Sequence, residues 1–372
     1  MGEPGCHGVG ALKPTAARSG ITLSYVDFLR LAGAILGYTA ATLIIQTIVI
    51  TIRHKERSIG MSVAIKEITS IVVIAITLTR IPAFAQKPTA SSAEQPTQIV
   101  PALLIARHGN PNKLFLRSSV ALIIDEREGV TLHKRNADEP RPIASLTKLM
   151  TALVILDANL SLAEKIEIIQ ADRDRLRGSK SRLHYGTVLT RLDMLHVALA
   201  ASDNRAAAAL ARTYPGGRDA MIAAMNAKAR ELGMTNSRFA DSSGLHSGNI
   251  STASDLAKLI AAARDYRLLR VLTTSRKVIA TDWEDSKLIG FRNTNRLVHR
   301  DSWDIELSKT GYTAAAGNCL LMRTTIANRP LVIILLNSWG KLSKFGDSNR
   351  IRKWLINTEL RVQSLKASSG SV

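Results

Sequence analysis

The chain has 372 residues and a formal net charge of +20, from 50 lysines and arginines against 30 acidic residues. This charge favours anionic partners. The basic residues are scattered, with little aromatic interleaving and no zinc-ligand or RNA-binding signature, which argues against nucleic acid. An acidic polymer, an anionic lipid surface or a generally basic proteome fits the charge equally well. The two cysteines, Cys6 and Cys319, lie far apart and predict neither a disulfide framework nor a metal site.

Two apolar segments stand near the start of the chain. Residues 31–52 carry no charge and are long enough to span a bilayer, and the basic residues after them predict a cytoplasmic end. From Met61 onward, a short basic start, an apolar run over residues 68–78 and an Ala-x-Ala site ending at Ala85 predict a secretory signal peptide. A short anchor that stays uncut is the alternative for residues 61–85.

A signal peptide normally begins a chain, so residues 1–60 are either an over-extended reading frame or part of a real membrane hairpin. Both interpretations export the globular part. We expect it in the periplasm after cleavage behind Ala85, with anchoring in the inner membrane as the alternative. Residues 86–116, rich in Pro, Ser, Thr and Gln, predict a linker. The remainder predicts a catalytic domain over residues 117–358 and a polar tail over residues 359–372.

The globular domain opens with a predicted β-hairpin and continues in helices. Strand signals at residues 120–124 and 130–134 flank a turn. A helix follows over residues 145–156, where apolar residues recur at helical spacing. A further helix is expected after an N-cap at Thr190, with a break at residues 201–204. Another is expected over residues 218–232, and a third over residues 253–263 after an N-cap at Thr252.

Strand signals return towards the C-terminus. Residues 303–309 alternate between apolar and polar side chains, and residues 318–326 and 331–337 flank a turn. A closing helix is expected to end near residue 356. Strands at both ends with helices between them predict an α+β fold, in which a mainly antiparallel sheet pairs the N- and C-terminal strands and helices pack on it.

Three short motifs carry candidate chemistry, and the first is Ser145-Leu-Thr-Lys148. Residues three apart share a helix face, here near the positive end of the helix dipole. A desolvated lysine loses its proton more readily and can act as a base toward the serine. The pattern recurs at Ser338 to Lys341 without an apolar helix behind it, so the motif alone is weak. A snorkelling surface lysine is the plain alternative.

The second motif is Ser202-Asp-Asn204, at the predicted break between helices. A hydroxyl there can relay a proton to a leaving amine and the amide can hold a substrate amide, while a helix cap is the plain alternative for Ser202. The third is Lys309-Thr310-Gly311, at the predicted end of a strand. A cation and a hydroxyl suit a carboxylate, and the glycine admits a ligand backbone close to the strand. An ordinary edge-strand ending is the alternative.

In this order, Ser-x-x-Lys, Ser-x-Asn and Lys-Thr-Gly resemble the signature of penicillin-binding proteins and class A β-lactamases. The surrounding segments, including RPIASLTKLMTA, NRAAAALARTYPGG and LSKTGYTAAAGNCLLMRT, are similar to the S11 family of D-alanyl-D-alanine peptidases, and within it to the endopeptidase group. The resemblance covers about residues 120–355. It implies the β-lactamase/transpeptidase-like fold, with a helical subdomain beside the sheet.

The resemblance also implies catalytic roles. Ser145 is the nucleophile that a D-alanine carbonyl of a peptidoglycan stem peptide acylates, and Lys148 is its general base. Ser202 shuttles a proton toward the leaving amine or back to water. The backbone N–H groups of Ser145 and Tyr312 form the oxyanion hole.

The remaining motif residues are implied to hold the substrate. Asn204 orients it, Lys309 and Thr310 bind its carboxylate, and Gly311 lies alongside. The expected partners are peptidoglycan stem peptides and cross-links, β-lactam antibiotics that trap Ser145, and peripheral contacts with the membrane or the wall machinery. Nucleic acid, a metal ion and a cofactor are not expected.

Three other functions compete with a D-alanyl-D-alanine endopeptidase. A class A β-lactamase also needs a glutamate in a Glu-x-x-Leu-Asn context, whereas Glu231, the only glutamate between Asn204 and Asp282, lies in ELGMT. Intact motifs disfavour a non-catalytic wall scaffold. A carboxypeptidase that trims pentapeptide stems stays open, although such members usually carry a second β-rich domain, for which little chain follows Gly311.

The signal peptide is directly testable. Mass spectrometry of the exported protein should find Gln86 at the N-terminus, because the Ala-x-Ala site ends at Ala85. The variant Ala85→Arg, which lacks a small residue at the cleavage site, should accumulate as the longer precursor. An exported chain that still carries residues 31–52 would contradict a cleaved signal.

Overall fold

The computed structural model describes residues 100–369. The segments predicted as a membrane span, a signal peptide and the first part of the linker lie outside the described residues. Within residues 100–369, no helix is both long and apolar enough to cross a membrane. The described part is an α+β domain, in which one antiparallel sheet lies between two layers of helices.

The main sheet joins the two ends of the domain. The strands are β1 (Ser118–Asp125), β2 (Val130–Arg135), β3 (Arg141–Pro142), β4 (Lys165–Glu167), β5 (Val188–Thr190), β6 (Ile250–Ser251), β7 (Lys277–Thr281), β8 (Leu288–Arg292), β9 (Asp304–Thr313), β10 (Gly317–Ile326) and β11 (Arg329–Ser338). Five of them form the main sheet in the order β2-β1-β11-β10-β9. β1 pairs antiparallel with β11, with Ile123 opposite Ile333, which confirms the predicted pairing of the terminal strands.

Residues 100–369 contain eight α-helices, two of which begin at caps predicted from the sequence. They are α1 (Ala102–His108), α2 (Thr147–Asp157), α3 (Arg191–His196), α4 (Asn204–Arg212), α5 (Gly217–Glu231), α6 (Ala253–Ala263), α7 (Arg267–Thr274) and α8 (Ser343–Ser369). The Thr190 hydroxyl accepts from the Asp193 N–H at the start of α3, and Thr252 accepts from the Asp255 N–H at the start of α6, each over 3.0 Å. Both predicted N-caps are therefore confirmed.

The main sheet is buried on both faces. Along β1, Val120 and Leu122 belong to a hydrophobic cluster shared with α2 to α7, and Ala121 and Ile123 belong to a second cluster shared with α1 and α8. Alternate residues of a strand point to opposite faces, so each helical layer covers one face. This double burial explains why β1 is a continuous apolar run.

The structure differs from the sequence interpretation near both ends of the described chain. Residues 102–108, inside the predicted linker, form α1, and Ala102 and Ile105 are buried against the layer that contains α8. Helix α8 does not end near residue 356 but continues to Ser369, through most of the predicted tail. Both helices gain stability from contact between distant parts of the chain, which local sequence patterns do not reveal.

Helix α7 and the hairpin β7–β8 were not predicted. In β7 only alternate residues, Val278 and Ala280, are buried, while the intervening Ile279 is 67 % exposed. An exposed isoleucine turns the alternating pattern into an apolar run, so the periodicity that identifies a half-buried strand is lost.

The ion pairs of one buried arginine connect the main sheet to the helical layer that contains α8. The Arg329 guanidinium at the start of β11 donates to the Asp125 carboxylate and to the Val100 carbonyl. Glu359 of α8 lies 3.6 Å from the same guanidinium. Arg329 and Asp125 are fully buried, so removing Arg329 would leave the charge of Asp125 uncompensated in the core.

Candidate functional site

Ser145 lies in a tight turn between β3 and α2. Ala144–Leu146 form one turn of 3₁₀ helix, and the α-helix begins at Thr147 rather than at Ser145 as expected. Ala144 has a φ of 48°, a left-handed conformation that is costly for alanine. The Thr147 hydroxyl donates to the Ala144 carbonyl over 2.8 Å, which holds the turn. Ser145 is thereby half-buried at the wall of a cavity.

Two glycines let neighbouring segments approach this turn. A Cβ at Gly244, whose φ is +84°, would lie 1.9 Å from the Ala144 carbonyl oxygen. A Cβ at Gly311 of β9 would lie 3.0 Å from the backbone nitrogen of Ser145. The Gly244 loop and the edge strand therefore enclose Ser145 from two sides, at distances that a larger residue would not permit.

Lys148, the second residue of α2, has three oxygen neighbours. Its Nζ donates to Ser145 Oγ at 3.0 Å, to Asn204 Oδ1 at 2.7 Å and to the Ser243 carbonyl at 2.6 Å. The amide and carbonyl oxygens can only accept hydrogen bonds, so they take both N–H groups of a neutral amine. The lone pair of that amine is then left to the Ser145 hydroxyl, and the arrangement can receive the proton of Ser145.

Burial sets the protonation of this amine. Lys148 is 1 % exposed, and its removal from water lowers its pKa from 10.5 to about 8. The carboxylates of Asp241, Asp203 and Asp174 act in the opposite direction. The direct neighbours of the amine are oxygen atoms, and exclusion of water causes the shift. A lysine in this pKa range suits general-base chemistry near neutral pH.

Ser202 lies at the predicted break between helices. Helix α3 continues into a π-helical turn, Val197–Ala201, and Ser202 then adopts a left-handed conformation with a φ of 62°. Asp203 caps α4 by accepting from the Ala206 N–H over 3.0 Å. Ser202 is therefore not the N-cap of α4, which removes the plain alternative for this residue, and it lines the same cavity as Ser145.

Asn204 is held in one orientation at the first position of α4. Its Nδ2 donates to Ser179 Oγ over 2.8 Å, so its Oδ1 is the atom presented to Lys148. The side chain thus bridges α2 and the segment before β5. Its amide is fixed by two partners before any ligand arrives.

Lys309-Thr310-Gly311 lies inside β9, which continues to Thr313 instead of ending at residue 309 as expected. Because β9 is an edge strand, one side of it presents backbone groups that the sheet does not pair, and it contacts the turn around Ser145. The Thr310 hydroxyl donates to Thr294 Oγ1 over 2.6 Å.

Lys309 is a second buried amine. It is 1 % exposed, and its Nζ donates to the Thr310 carbonyl over 3.0 Å. Burial holds the pKa of Lys309 well below 10.5, and the cations of Lys148 and Lys344 act in the same direction. Lys148, Lys309 and Lys344 therefore lie close enough together for each positive charge to disfavour a charge on Lys309.

One cavity of about 1290 Å³ brings most of the candidate residues together. Six of the eight residues singled out from the sequence line it: Ser145, Ser202, Asn204, Thr310, Gly311 and Tyr312. Tyr312 is 65 % exposed, whereas the two lysines lie behind the surface. Residues from the turn before α2, from the helical layer and from the edge strand β9 thus meet around one hydroxyl.

Sequence reasoning missed the loop that holds Lys148. Asp241 accepts hydrogen bonds from backbone N–H groups within residues 243–246. It thereby shapes the loop that supplies the Ser243 carbonyl to Lys148 and packs Gly244 against the turn that carries Ser145. Asp-Ser-Ser-Gly is a turn signal, but nothing local indicates that the turn meets α2.

The carboxylates around Lys148 are all engaged. Asp174 accepts from three backbone N–H groups of residues 176–179, Asp203 caps α4, and Asp241 holds its own loop. Among the described residues that line the cavity, none is acidic. A carboxylate placed to activate water beside Ser145 is therefore not part of this lining.

The second Ser-x-x-Lys match has a different geometry. Ser338 is 2 % exposed, and its Oγ lies 2.6 Å from Ser118 Oγ, which donates to Asp347 over 2.6 Å. Lys341 is exposed at the cavity, outside this network. Ser338 therefore joins the ends of β1 and β11 to α8 and has no lysine partner.

Comparisons with known proteins agree with this fold and site. The sequence profile of the peptidase S11 family, described as D-alanyl-D-alanine carboxypeptidase, matches residues 108–340. A D-alanyl-D-alanine endopeptidase of Escherichia coli K12 is 46 % identical over 240 residues, 64 % of this chain and 77 % of the relative. A D-alanyl-D-alanine endopeptidase of Pseudomonas aeruginosa is 45 % identical over 247 residues, 66 % and 80 % of the two chains.

Solved structures extend the comparison to the fold. The Streptomyces K15 DD-transpeptidase aligns with a TM-score of 0.61 and 26 % identity, over 65 % of this chain and 98 % of that chain. The α+β, transpeptidase-like architecture expected from the sequence is thereby confirmed.

Substitution of Gly244 tests the enclosure of Ser145. Gly244→Ala should slow the covalent reaction of Ser145 with a labelled penicillin by about tenfold or more, because the added Cβ overlaps the Ala144 carbonyl and displaces the turn. Gly290→Ala is the matched control, since a Cβ there meets nothing within 4 Å. Equal labelling rates for Gly244→Ala and the wild type, in proteins with similar thermal unfolding, would contradict this account.

Proposed function

The chain belongs to the peptidase S11 family, and on this premise we propose that it is a serine D-alanyl-D-alanine endopeptidase that cleaves D-alanine-linked cross-links in peptidoglycan during cell-wall remodelling. The observation that carries the proposal is the buried Lys148 amine, 3.0 Å from Ser145 Oγ and with a pKa of about 8. The relatives that are 46 % and 45 % identical are both named endopeptidases.

In the acylation step, Ser145 Oγ attacks the carbonyl carbon of the D-alanine residue. Its proton passes to the lone pair of Lys148, which the two acceptor oxygens leave free. Negative charge develops on the carbonyl oxygen, and the backbone N–H groups of Ser145 and Tyr312 stabilise it. The close approach of Gly311 to the Ser145 nitrogen supports this pairing of donors.

Breakdown of the tetrahedral intermediate releases the amine. The carbon–nitrogen bond breaks, and the leaving nitrogen takes a proton relayed from Lys148 through the Ser202 hydroxyl. Water then attacks the acyl-enzyme ester, gives a proton to the same relay, and frees Ser145. Asn204 holds the substrate amide, while Lys309 and Thr310 bind the carboxylate beside the scissile bond.

A β-lactam would acylate Ser145 in the same way but would be released slowly. Rapid hydrolysis of that ester in class A β-lactamases uses a glutamate to activate water. The cavity lining among the described residues holds no carboxylate, and the acids around Lys148 are engaged in backbone hydrogen bonds. These observations support inhibition by β-lactams rather than their turnover.

A carboxypeptidase is the second candidate, and the description of the family profile favours it. Both activities would use the same nucleophile, base and oxyanion donors. They differ in the leaving group, which is a single D-alanine for a carboxypeptidase and a second stem peptide for an endopeptidase.

We further propose that the enzyme is exported and acts in the periplasm, where its substrate lies. The signal-peptide pattern over residues 61–85 and the location of peptidoglycan outside the inner membrane support this assignment. The net charge of +20 suits a polyanionic wall or membrane surface, so peripheral contact with the membrane or the wall machinery belongs to the same proposal.

Digestion of cross-linked muropeptide dimers beside monomeric pentapeptides tests the function. The wild type should split dimers, and Ser145→Ala should split neither substrate and lose covalent penicillin labelling, because the nucleophile is absent. Ser364→Ala, a serine substitution on the exposed side of α8, is the control. Release of D-alanine with dimers intact would move the assignment to a carboxypeptidase, and labelling that survives in Ser145→Ala would refute the site.

The pH dependence of acylation tests Lys148 as the base. Because its pKa is lowered to about 8, the fraction of neutral amine rises with pH up to that value. The labelling rate should increase about tenfold per pH unit below about pH 7 and level off above about pH 8.5. Lys148→Arg should lose labelling throughout, because a guanidinium stays protonated. A rate that is constant from about pH 6 to about pH 9 would argue against this base.

A further inference from the structure

The loop Asn293-Thr294-Asn295 joins β8 to the 3₁₀ turn before β9, at the wall of the cavity that contains Ser145. Its two asparagines are 8 % and 1 % exposed, whereas Thr294 between them is exposed in the cavity lining. Buried amide groups that are hydrogen-bonded hold the backbone on either side of them. The loop therefore presents Thr294 to the cavity between two buried anchors.

Hydrogen bonds hold both asparagines. Asn293 Nδ2 donates to the carbonyls of Thr273 and Ser275 at the end of α7, over 2.9 and 3.0 Å. Its Oδ1 accepts from the Asn295 N–H over 2.9 Å, and Asn295 Oδ1 accepts from a backbone N–H of the 3₁₀ turn over 3.0 Å. The position of Thr294 is therefore set by its neighbours in the fold before any substrate binds.

Thr294 is bonded to the turn that carries Ser202. Its backbone N–H donates to the Ala200 carbonyl over 2.9 Å, and its hydroxyl donates to the same oxygen over 3.3 Å. Ala200 lies in the π-helical turn, two residues before Ser202. Carbonyl groups at the end of a helix lack partners within the helix. Thr294 supplies such a partner from a distant part of the chain and so holds the end of this turn.

The same hydroxyl also holds β9. Thr294 Oγ1 accepts from the Thr310 hydroxyl over 2.6 Å. A hydroxyl carries one proton and two lone pairs, so it can donate to the Ala200 carbonyl and accept from Thr310 at the same time. One oxygen atom thus connects the helical wall of the cavity, which ends in the turn of Ser202, to the edge strand on the opposite side.

The spacing of these two walls matters for the proposed proton relay. The substrate lies along β9, and its leaving nitrogen takes a proton through the Ser202 hydroxyl. Such a transfer requires the hydroxyl to lie within hydrogen-bond reach of the nitrogen. A misplacement of about 1 Å can cost about a hundredfold in rate. A group that fixes Ser202 relative to β9 therefore acts on the chemical step.

We propose that Thr294 is a positioning residue for this proton transfer, because its hydroxyl fixes the turn of Ser202 against β9. The inference rests on the proposed function and adds a residue that acts through Ser202. When a carbon–nitrogen bond breaks, the nitrogen needs the relayed proton, since it would otherwise leave as a strongly basic anion. When the carbon–sulfur bond of a thioester breaks, the sulfur leaves as a stable thiolate and needs no proton. The contribution of Thr294 should therefore depend on the leaving group.

Two substrates with the same acyl group separate positioning from binding. One has an amide-linked D-alanine as the leaving group, and the other is a thioester whose leaving group carries the same carboxylate. Thr294→Val keeps the side-chain shape and the backbone N–H but removes the hydroxyl. It should lower kcat/KM about tenfold for the amide and less than about twofold for the thioester. Thr294→Ser, which restores the hydroxyl, should recover most of the amide hydrolysis.

The control is Thr281→Val, at an exposed position of β7 outside the cavity lining, which should hydrolyse both substrates as the wild type does. All variants are compared at similar thermal unfolding. Equal losses on the amide and the thioester would indicate weaker binding of the shared carboxylate and would overturn the positioning role. Unchanged amide hydrolysis in Thr294→Val, or a Thr294→Ser variant as slow as Thr294→Val, would overturn it as well.

Penicillin labelling tests the role independently of the proposed function. Opening of a β-lactam ring by Ser145 also breaks a carbon–nitrogen bond, so Thr294→Val should slow labelling about tenfold and Thr294→Ser should not. Equal labelling rates for Thr294→Val and the wild type would overturn the positioning role and leave the proposed function standing. A wild type that hydrolyses neither dimers nor pentapeptides would overturn the proposed function, and the labelling rates would still decide the role of Thr294.

Discussion

The burial of one amine, that of Lys148, is the constraint on which the rest of the site depends. An ammonium group out of water is costly unless oxygen atoms replace its hydration. Here the replacements come from separate segments, since Asn204 opens α4 and Ser243 belongs to the loop before β6. Both segments must therefore be held against α2. The break after the π-helical turn positions Asn204, and the hydrogen bonds of Asp241 position the loop that contains Ser243.

Closure of the sheet brings the second half of the site to the first. β11 pairs with β1, which places β9 at the edge of the sheet and next to the turn that carries Ser145. Only glycine at position 311 allows that edge to approach the nucleophile nitrogen. The pairing of the terminal strands thus matters to the proposed catalysis as well as to stability, because the proposed oxyanion donors, the N–H groups of Ser145 and Tyr312, lie far apart in the sequence.

Charge divides the cavity into two parts with different roles. At the inner end, burial weakens the hold of Lys148 and Lys309 on their protons, which at Lys148 suits proton transfer. At the outer end, Arg296 and Lys341 are exposed in the lining, and no carboxylate of the described residues lies within 4.0 Å of either side chain. The proposed catalytic residues are those that the family resemblance implies for either activity. A single D-alanine and a cross-linked stem differ on the leaving side of the scissile bond.

Local signals were sufficient for the parts of the protein that depend on near neighbours. The caps at Thr190 and Thr252, the two hairpins of the main sheet and the three motifs follow from spacings of a few residues and from the family resemblance. The same signals could not separate Ser145 from Ser338, because both precede a lysine by three positions. Helix α1, the length of α8 and the Asp241 loop also went unpredicted. Each depends on contacts between residues that are far apart in the chain. Only the tertiary structure determines these features, because burial changes the energy of a charge or of a backbone group.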